Sequence, residues 1–209
     1  MNIAGLGSPY WYEWEIGLLE CLKMMRDVTI KSVVLQSSDF ISLDDVVVNN
    51  NDGSIVNIQV KHTDCEDNFT YSSLTSGKTP MIKKWTTEWH KKKSNYNIRE
   101  IRIVTNRKWG AAKSEERCSF NDFIIDVFPI LKTNYNYIGE DDSKKLAIEW
   151  FKKQISYLGD EASEFVKILS FVQEGDLESV NLKIRENVAS ILGTDRKEAL
   201  NNATNSDVV

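Results

Sequence analysis

Residues 42–62 read S-L-D-D-V-V-V-N-N-N-D-G-S-I-V-N-I-Q-V-K-H, and few folds accept such a stretch. Two β-branched runs, 43–48 and 54–61, flank a turn of Asn, Asp and Gly, which is the pattern of a β-hairpin. The acids Asp44 and Asp45 open the first strand, and Gln59-Val60-Lys61 closes the second. Side chains alternate along a strand, so Gln59 and Lys61 share one face while Ile58 and Val60 take the other. Core packing alone does not call for a carboxylate facing an amide and a lysine at the end of a buried hairpin. A divalent cation held beside a phosphate does. A structural ion pair between Asp45 and Lys61 is the competing account.

The flanking pattern fixes a coarse order of elements. Ser8-Pro9 suits a helix start. Trp14, Leu18, Cys21, Leu22 and Met25 follow at helical spacing, and Tyr12, Ile16 and Leu19 widen the stripe, so this helix is expected to be mostly buried. Glu13 and Glu15 sit in its first turns, where acids complement the dipole. One of them is expected to point back over the sheet toward Asp45, and Glu15 is the one assigned. Residues 28–36 are β-branched and read as a strand. Residues 63–78 are polar, with Gly/Ser/Thr clusters, and read as a loop with a short turn of helix. Thr79-Pro80 starts a second helix with Ile82, Trp85, Thr86 and Trp89 on its apolar face. Residues 100–105 alternate as a further strand, ending at Asn106-Arg107-Lys108. A tight turn makes an antiparallel pair and a helical crossover a parallel one. The fold class is therefore α/β (α+β): a mixed sheet flanked by helices.

Beyond residue 118 the pattern is helical. Segments 120–132, 142–158, 161–173 and 177–192 are amphipathic, with Pro129 kinking or ending the first and Gly159, Gly175 and Gly193 separating the rest. The expected organisation is a core over 1–118, a C-terminal helical extension over 119–195, packed on the core or used for self-association, and a tail over 196–209 that is frayed or leads to a further domain.

Composition removes several classes. No apolar run approaches the roughly 18 residues of a membrane span. The start M-N-I-A-G-L-G lacks the pattern of a signal peptide, which gives a cytoplasmic expectation. Cys21, Cys65 and Cys118 are irregularly spaced without a CxxC pair, against a disulfide framework or structural zinc. His62 and His90 are the only histidines, so nucleophile–histidine arrangements have few candidates. His62 either touches phosphate or simply packs. The net charge is −5, yet residues 78–117 hold twelve Lys and Arg against four Glu, and the remainder holds fourteen basic and twenty-seven acidic residues. A basic middle in an acidic chain points to a phosphate-facing surface, with a solvated helix face as the alternative. Lys83, Lys84, Arg107 and Lys108 are the candidates for nucleic-acid backbone contacts. Trp109 stacks on a base or packs.

The element order, with Asp45 on one strand and Gln59-x-Lys61 on the next, resembles the PD-(D/E)xK nuclease superfamily, whose fold is restriction-endonuclease-like. The D-D-V-V-V…I-Q-V-K-H pair, the preceding acid-bearing helix and the later V-T-N-R look like its Cap-type branch, the N-terminal nuclease domain of CBASS and Avs-like antiviral effectors. The resemblance covers about residues 5 to 110 well. It implies that Asp45 matches the metal-binding aspartate, Gln59 the usual Asp or Glu, Lys61 the catalytic lysine and Glu15 the acid of the first helix. Gln59 departs from the pattern, because an amide ligates a hard cation without contributing charge. The resemblance also implies Mg²⁺ (or Mn²⁺) held by Asp45, Gln59, the Val60 carbonyl and Glu15, which polarises a phosphate and lowers the pKa of an attacking water. Lys61 would orient or deprotonate that water, or neutralise developing charge. The function implied is a metal-dependent endonuclease of weakly sequence-specific action on duplex DNA, an effector of antiphage defence. Its implied partners are DNA, a sensor or NTPase domain on the same full-length chain, and further copies when active. The alternative is a non-catalytic nucleic-acid-binding or dimerisation module with a degenerate nuclease fold.

Overall fold

The computed structural model describes residues 8–43, 45–64, 67–112 and 116–193. Helix α1 (Ser8–Met24) leads to strand β1 (Ile30–Leu35), the hairpin β2 (Val46–Asn50) and β3 (Ser54–Lys61), then α2 (Tyr71–Thr75), α3 (Met81–Lys92) and β4 (Asn97–Thr105). A helical stretch follows: α4 (Phe120–Asp122), a π-helical turn (Phe123–Val127), α5 (Phe128–Thr133), α6 (Asp142–Ile155), a 3₁₀ segment (Ser156–Glu161) and α7 (Ala162–Ile168). Strand β5 (Leu169–Gln173) and helix α8 (Leu177–Leu192) come last. The residues Asp44 and Cys65 and the tail 196–209, each with an expectation attached above, lie outside the described residues.

The sheet runs β1-β2-β3-β4-β5. The short turns give antiparallel β1–β2 and β2–β3 pairs. The crossover through α3 makes β3–β4 parallel, and the longer helical crossover makes β4–β5 parallel as well, as strand–helix–strand units dictate. β3 is the strand with the most buried residues, interior at every position from Ser54 to Val60. Its alternation splits the core into two layers. Val56, Ile58 and Val60 meet Tyr12, Ile16, Leu19 and Leu22 of α1 and Val180 and Ile184 of α8. On the other face, Ile55, Ile101 and Ile103 meet Trp85 and Trp89 of α3, Phe151 of α6 and Phe165 of α7.

Two expectations are corrected. Segment 161–173 is not one helix: α7 stops at Ile168 and the backbone turns extended at Leu169. Ile101 then pairs with Leu169 and Ile103 with Phe171. The run F-V-K-I-L-S-F-V-Q is apolar at both helical and strand spacing, so periodicity alone cannot separate the two. The region read as a helical extension therefore also supplies a sheet strand, and α8 packs on α1 within the core. The second correction concerns α1. Its buried stripe is Tyr12, Ile16, Leu19 and Leu22, whereas Trp14, Leu18 and Met25 are 55%, 43% and 65% exposed. Both sets satisfy helical spacing, but among the described residues α1 packs on one side, against the sheet and α8. Gly17 faces β1, where an added Cβ would overlap the Leu35 side chain. Pro129, expected to kink or end its helix, follows a π-helical turn and opens α5. The wider turn accommodates the missing N–H.

A chain ending at residue 168 is expected to lose the cooperative thermal transition of the full chain, because β4 then loses its β5 partner and α1 loses α8. Trp14→Ser, on the exposed side of α1, should move stability by no more than about 0.5 kcal/mol. Far-UV circular dichroism melts read both.

Candidate active site

The hairpin register builds the site. Val46 pairs with Ile58 and Val47 with Asn57, so the antiparallel register extended one residue sets Asp45 opposite Gln59. The Asp45 Oδ2 accepts the Val60 backbone N–H at 2.7 Å and also the Gln59 Nε2 amide. Burial pushes the Asp45 carboxyl above the ordinary carboxylate range, while the Lys61 ammonium and the two donors pull the other way. Asp45, Gln59, Val60 and Lys61 thus come together as the sequence expects.

Lys61 and Val60 form part of a notch of about 540 Å³ at the ends of β3 and β4. Asp45 and Gln59 do not line it; Asp45 is joined to it through its bond to the Val60 N–H. Glu13 of α1 lines the notch from one layer of the fold, and Ser72, Ser73 and Met81 line it from the other. The loop ends are clamped together. Thr105 Oγ1 donates to the Lys61 carbonyl at 2.6 Å and accepts the Arg107 N–H at 3.1 Å. Asn106 accepts the Thr63 N–H at 3.0 Å and returns a bond to the Thr63 carbonyl at 2.7 Å.

Glu15 is placed elsewhere. Its carboxyl is hydrogen-bonded to Asn181 of α8, and burial raises its pKa. Residues two apart on a helix lie about 200° apart around the axis. Glu13 and Glu15 therefore flank the buried Tyr12–Ile16 stripe on opposite sides, and Glu13 is the one that reaches the notch. That choice depends on the roll of α1 over the sheet, which acid spacing does not encode.

The basic candidates divide. Arg107 lines the notch, and Lys108 lines a neighbouring cavity. Lys83 and Lys84 are exposed on the first turn of α3, whose first residue, Met81, lines the notch. At the far end of α3 the lysines are structural: Lys92 lies over Phe40 and Tyr96, and Lys93 pairs with Glu161 and Glu164. Trp109 packs against Phe69, Phe120 and Phe171 and is no base platform. His62 and the α2 serines line the notch too. The serine cluster was visible in the sequence, but its closeness to Lys61 depends on α2 being fastened by the Phe69–Trp109 bridge.

The donor set suits a hard cation. Asp45 carries a half-buried charge that its protein neighbours do not fully offset. The Gln59 amide presents Oε1 in place of Nε2 after a half-turn, and the remaining oxygens belong to Val60 and Glu13. Among the described residues no three His, Cys, Asp or Glu side chains cluster as metal ligands.

A mixed five-stranded sheet with helices on both faces, an acid at the head of one strand and a lysine at the end of the next is a restriction-endonuclease-like nuclease fold. The chain belongs to the family described as Cap4, dsDNA endonuclease domain, whose model matches residues 8–206. No curated protein matches the chain significantly.

Because the folded-state Asp45 carboxyl has the higher pKa, its ionised form costs stability at neutral pH. That cost disappears once pH falls below the unfolded value of about 3.9. Asp45→Asn is therefore expected to raise the melting temperature at pH 7. The gain should vanish near pH 3.5. Metal-free thermal melts across pH check this.

Proposed function

We propose that the chain is the DNA-cutting module of a bacterial antiphage effector: a divalent-cation-dependent endonuclease acting on duplex DNA with little sequence preference. Membership of the endonuclease family supports the reaction class. The observation that carries the residue assignment is the half-buried Asp45 carboxylate, fixed on the Val60 N–H and acted on by the Lys61 ammonium at the rim of an open notch. The cationic groups of the notch, Lys61 and Arg107, suit backbone contacts, which carry no sequence information. The module would act as part of a longer chain bearing a sensor or NTPase domain, and in more than one copy.

A divalent cation held by Asp45, the Gln59 amide oxygen, the Val60 carbonyl and Glu13 supplies Lewis-acid chemistry at the scissile phosphate when bound. Lys61, the last residue of β3 and part of the notch wall, donates hydrogen bonds from Nζ to the phosphoryl oxygens as negative charge builds there. Without a cation, Gln59 donates from Nε2 to Asp45 and keeps that carboxylate oriented; after the half-turn its Oε1 would ligate the ion instead. Thr105 and Asn106 hold the two strand ends in register, so Lys61 and Arg107 stay on the same rim. Arg107, Lys108, Lys83 and Lys84 bind flanking phosphates without reading sequence.

Plasmid cleavage tests the proposal. Lys61→Ala and Asp45→Ala are each expected to lower the cutting rate by at least about 100-fold, and EDTA should abolish it. Glu13→Gln should slow cutting more than Glu15→Gln does. Salt-sensitive DNA binding with no cutting in Mg²⁺ or Mn²⁺, even when copies are clustered on a scaffold, would refute the enzyme in favour of a binding module.

A further inference from the structure

Past the notch, a second cavity of about 760 Å³ opens at the same end of the sheet, bordered by Asn68, Asn106, Lys108, Gln173 and Ser179. The two cavities share three residues: His62, Asp67 and Arg107. His62 follows directly on Lys61, and its ring packs on Tyr12 with centroids 4.7 Å apart. Its side chain is only 4% exposed, yet Nδ1 has no hydrogen-bond partner among the described residues. The Asp64 carboxylate stands 3.8 Å away, beyond hydrogen-bond reach. The buried Nε of Arg107 is likewise without a partner among the described residues. Two buried polar nitrogens bordering one opening are a costly arrangement unless something that enters the opening satisfies them.

The third shared residue indicates the charge of what enters. Asp67 is 64% exposed and meets Arg107 Nη1 at 3.5 Å, a long, solvated ion pair of the kind that contributes little. Its carboxylate occupies the position an incoming anion would take. A phosphate matches the full donor set better. It accepts from Arg107 in the bidentate geometry a guanidinium prefers, and from His62 when Nδ1 carries the proton.

We infer that His62 and Arg107 form a second phosphate subsite, which takes a backbone phosphate neighbouring the one at Lys61, and that Asp67 holds Arg107 until the substrate replaces it. The inference rests on the nuclease reading, and it gives the bound strand a path: from the notch, past His62, toward the cavity beside Lys108 and Ser179.

Fluorescence anisotropy with a short labelled duplex in EDTA, over a salt series, tests the subsite apart from the chemistry. Arg107→Ala should weaken binding about tenfold and reduce the slope of log affinity against log salt by about one. His62→Ala should weaken it about threefold, as loss of one neutral hydrogen bond does, with little change in slope. Asp67→Asn should tighten binding, the opposite sign. Because His62 packs on Tyr12, melts of each variant accompany the titrations; if His62→Ala does not fold, the opposed signs at Arg107 and the exposed Asp67 decide the matter. A wild-type chain that cuts plasmid while all three variants bind as it does, or an Asp67→Asn variant that binds more weakly, overturns the subsite and leaves the nuclease reading standing. A wild-type chain that neither binds nor cuts overturns both.

Discussion

The site depends on the burial of β3. This strand is paired on both edges and covered on both faces, so its side chains are interior from Ser54 through Val60 and the first to reach the surface is Lys61. The backbone of Lys61 is held by its pairing with Thr105 of β4, whose Oγ1 donates to the Lys61 carbonyl. The same constraint fixes Asp45, because the antiparallel register with β2 leaves it opposite Gln59 and within reach of the Val60 N–H. Catalytic groups placed on rigid sheet positions need only their own rotamers set, and neighbouring hydrogen bonds do that.

Charge is distributed by role within the basic middle of the chain. Arg102 is bound to Glu100 at 2.8 Å and to Glu20 of α1 at 3.3 Å, which ties α1 across β4. Lys93 joins α3 to Glu161 and Glu164, and Arg117 lies over Tyr71 and Trp150. These cations hold layers together and add nothing to a substrate surface. The ones that remain beside the openings, chiefly Arg107 and Lys108, lie at the end of β4. A count of lysines and arginines along the sequence overstates the nucleic-acid footprint for this reason, although it finds the right region.

What the sequence discloses is what strand and helix periods encode. The hairpin, the α3 face with Ile82, Trp85, Thr86 and Trp89, and the parallel crossover to β4 all follow from spacing and turn chemistry, and with them the meeting of Asp45, Gln59 and Lys61. What it hides is relative rotation and non-local pairing. Leu169 to Gln173 becomes a strand only because β4 offers an unpaired edge to it. Glu13 and not Glu15 reaches the notch because Tyr12 and Ile16 set the roll of α1, with the Tyr12 hydroxyl bonded to the Gly175 carbonyl at 2.8 Å. The outer residues Trp14, Leu18 and Met25 have the same spacing as a buried stripe, and only the position of the sheet shows which stripe is covered. The sequence does not show what His62 does, because its surroundings come from α1 and from the segment after β4, far off in sequence.

Gln59 deserves a physical reading beyond its departure from the family pattern. A carboxylate at this position would stand beside Asp45, itself already raised in pKa by burial, and like charges in a poorly solvated site drive one of the pair to protonate. The amide removes that repulsion and adds a donor to Asp45. The folded chain without metal is thereby more comfortable, and the attraction for a cation is smaller by one charge. On the proposed nuclease reading, such a site would fill less readily at a given cation concentration, and cutting would depend more on how firmly DNA phosphates complete the coordination. Affinity for the substrate backbone, supplied by the groups around Arg107, then bears directly on when the module acts.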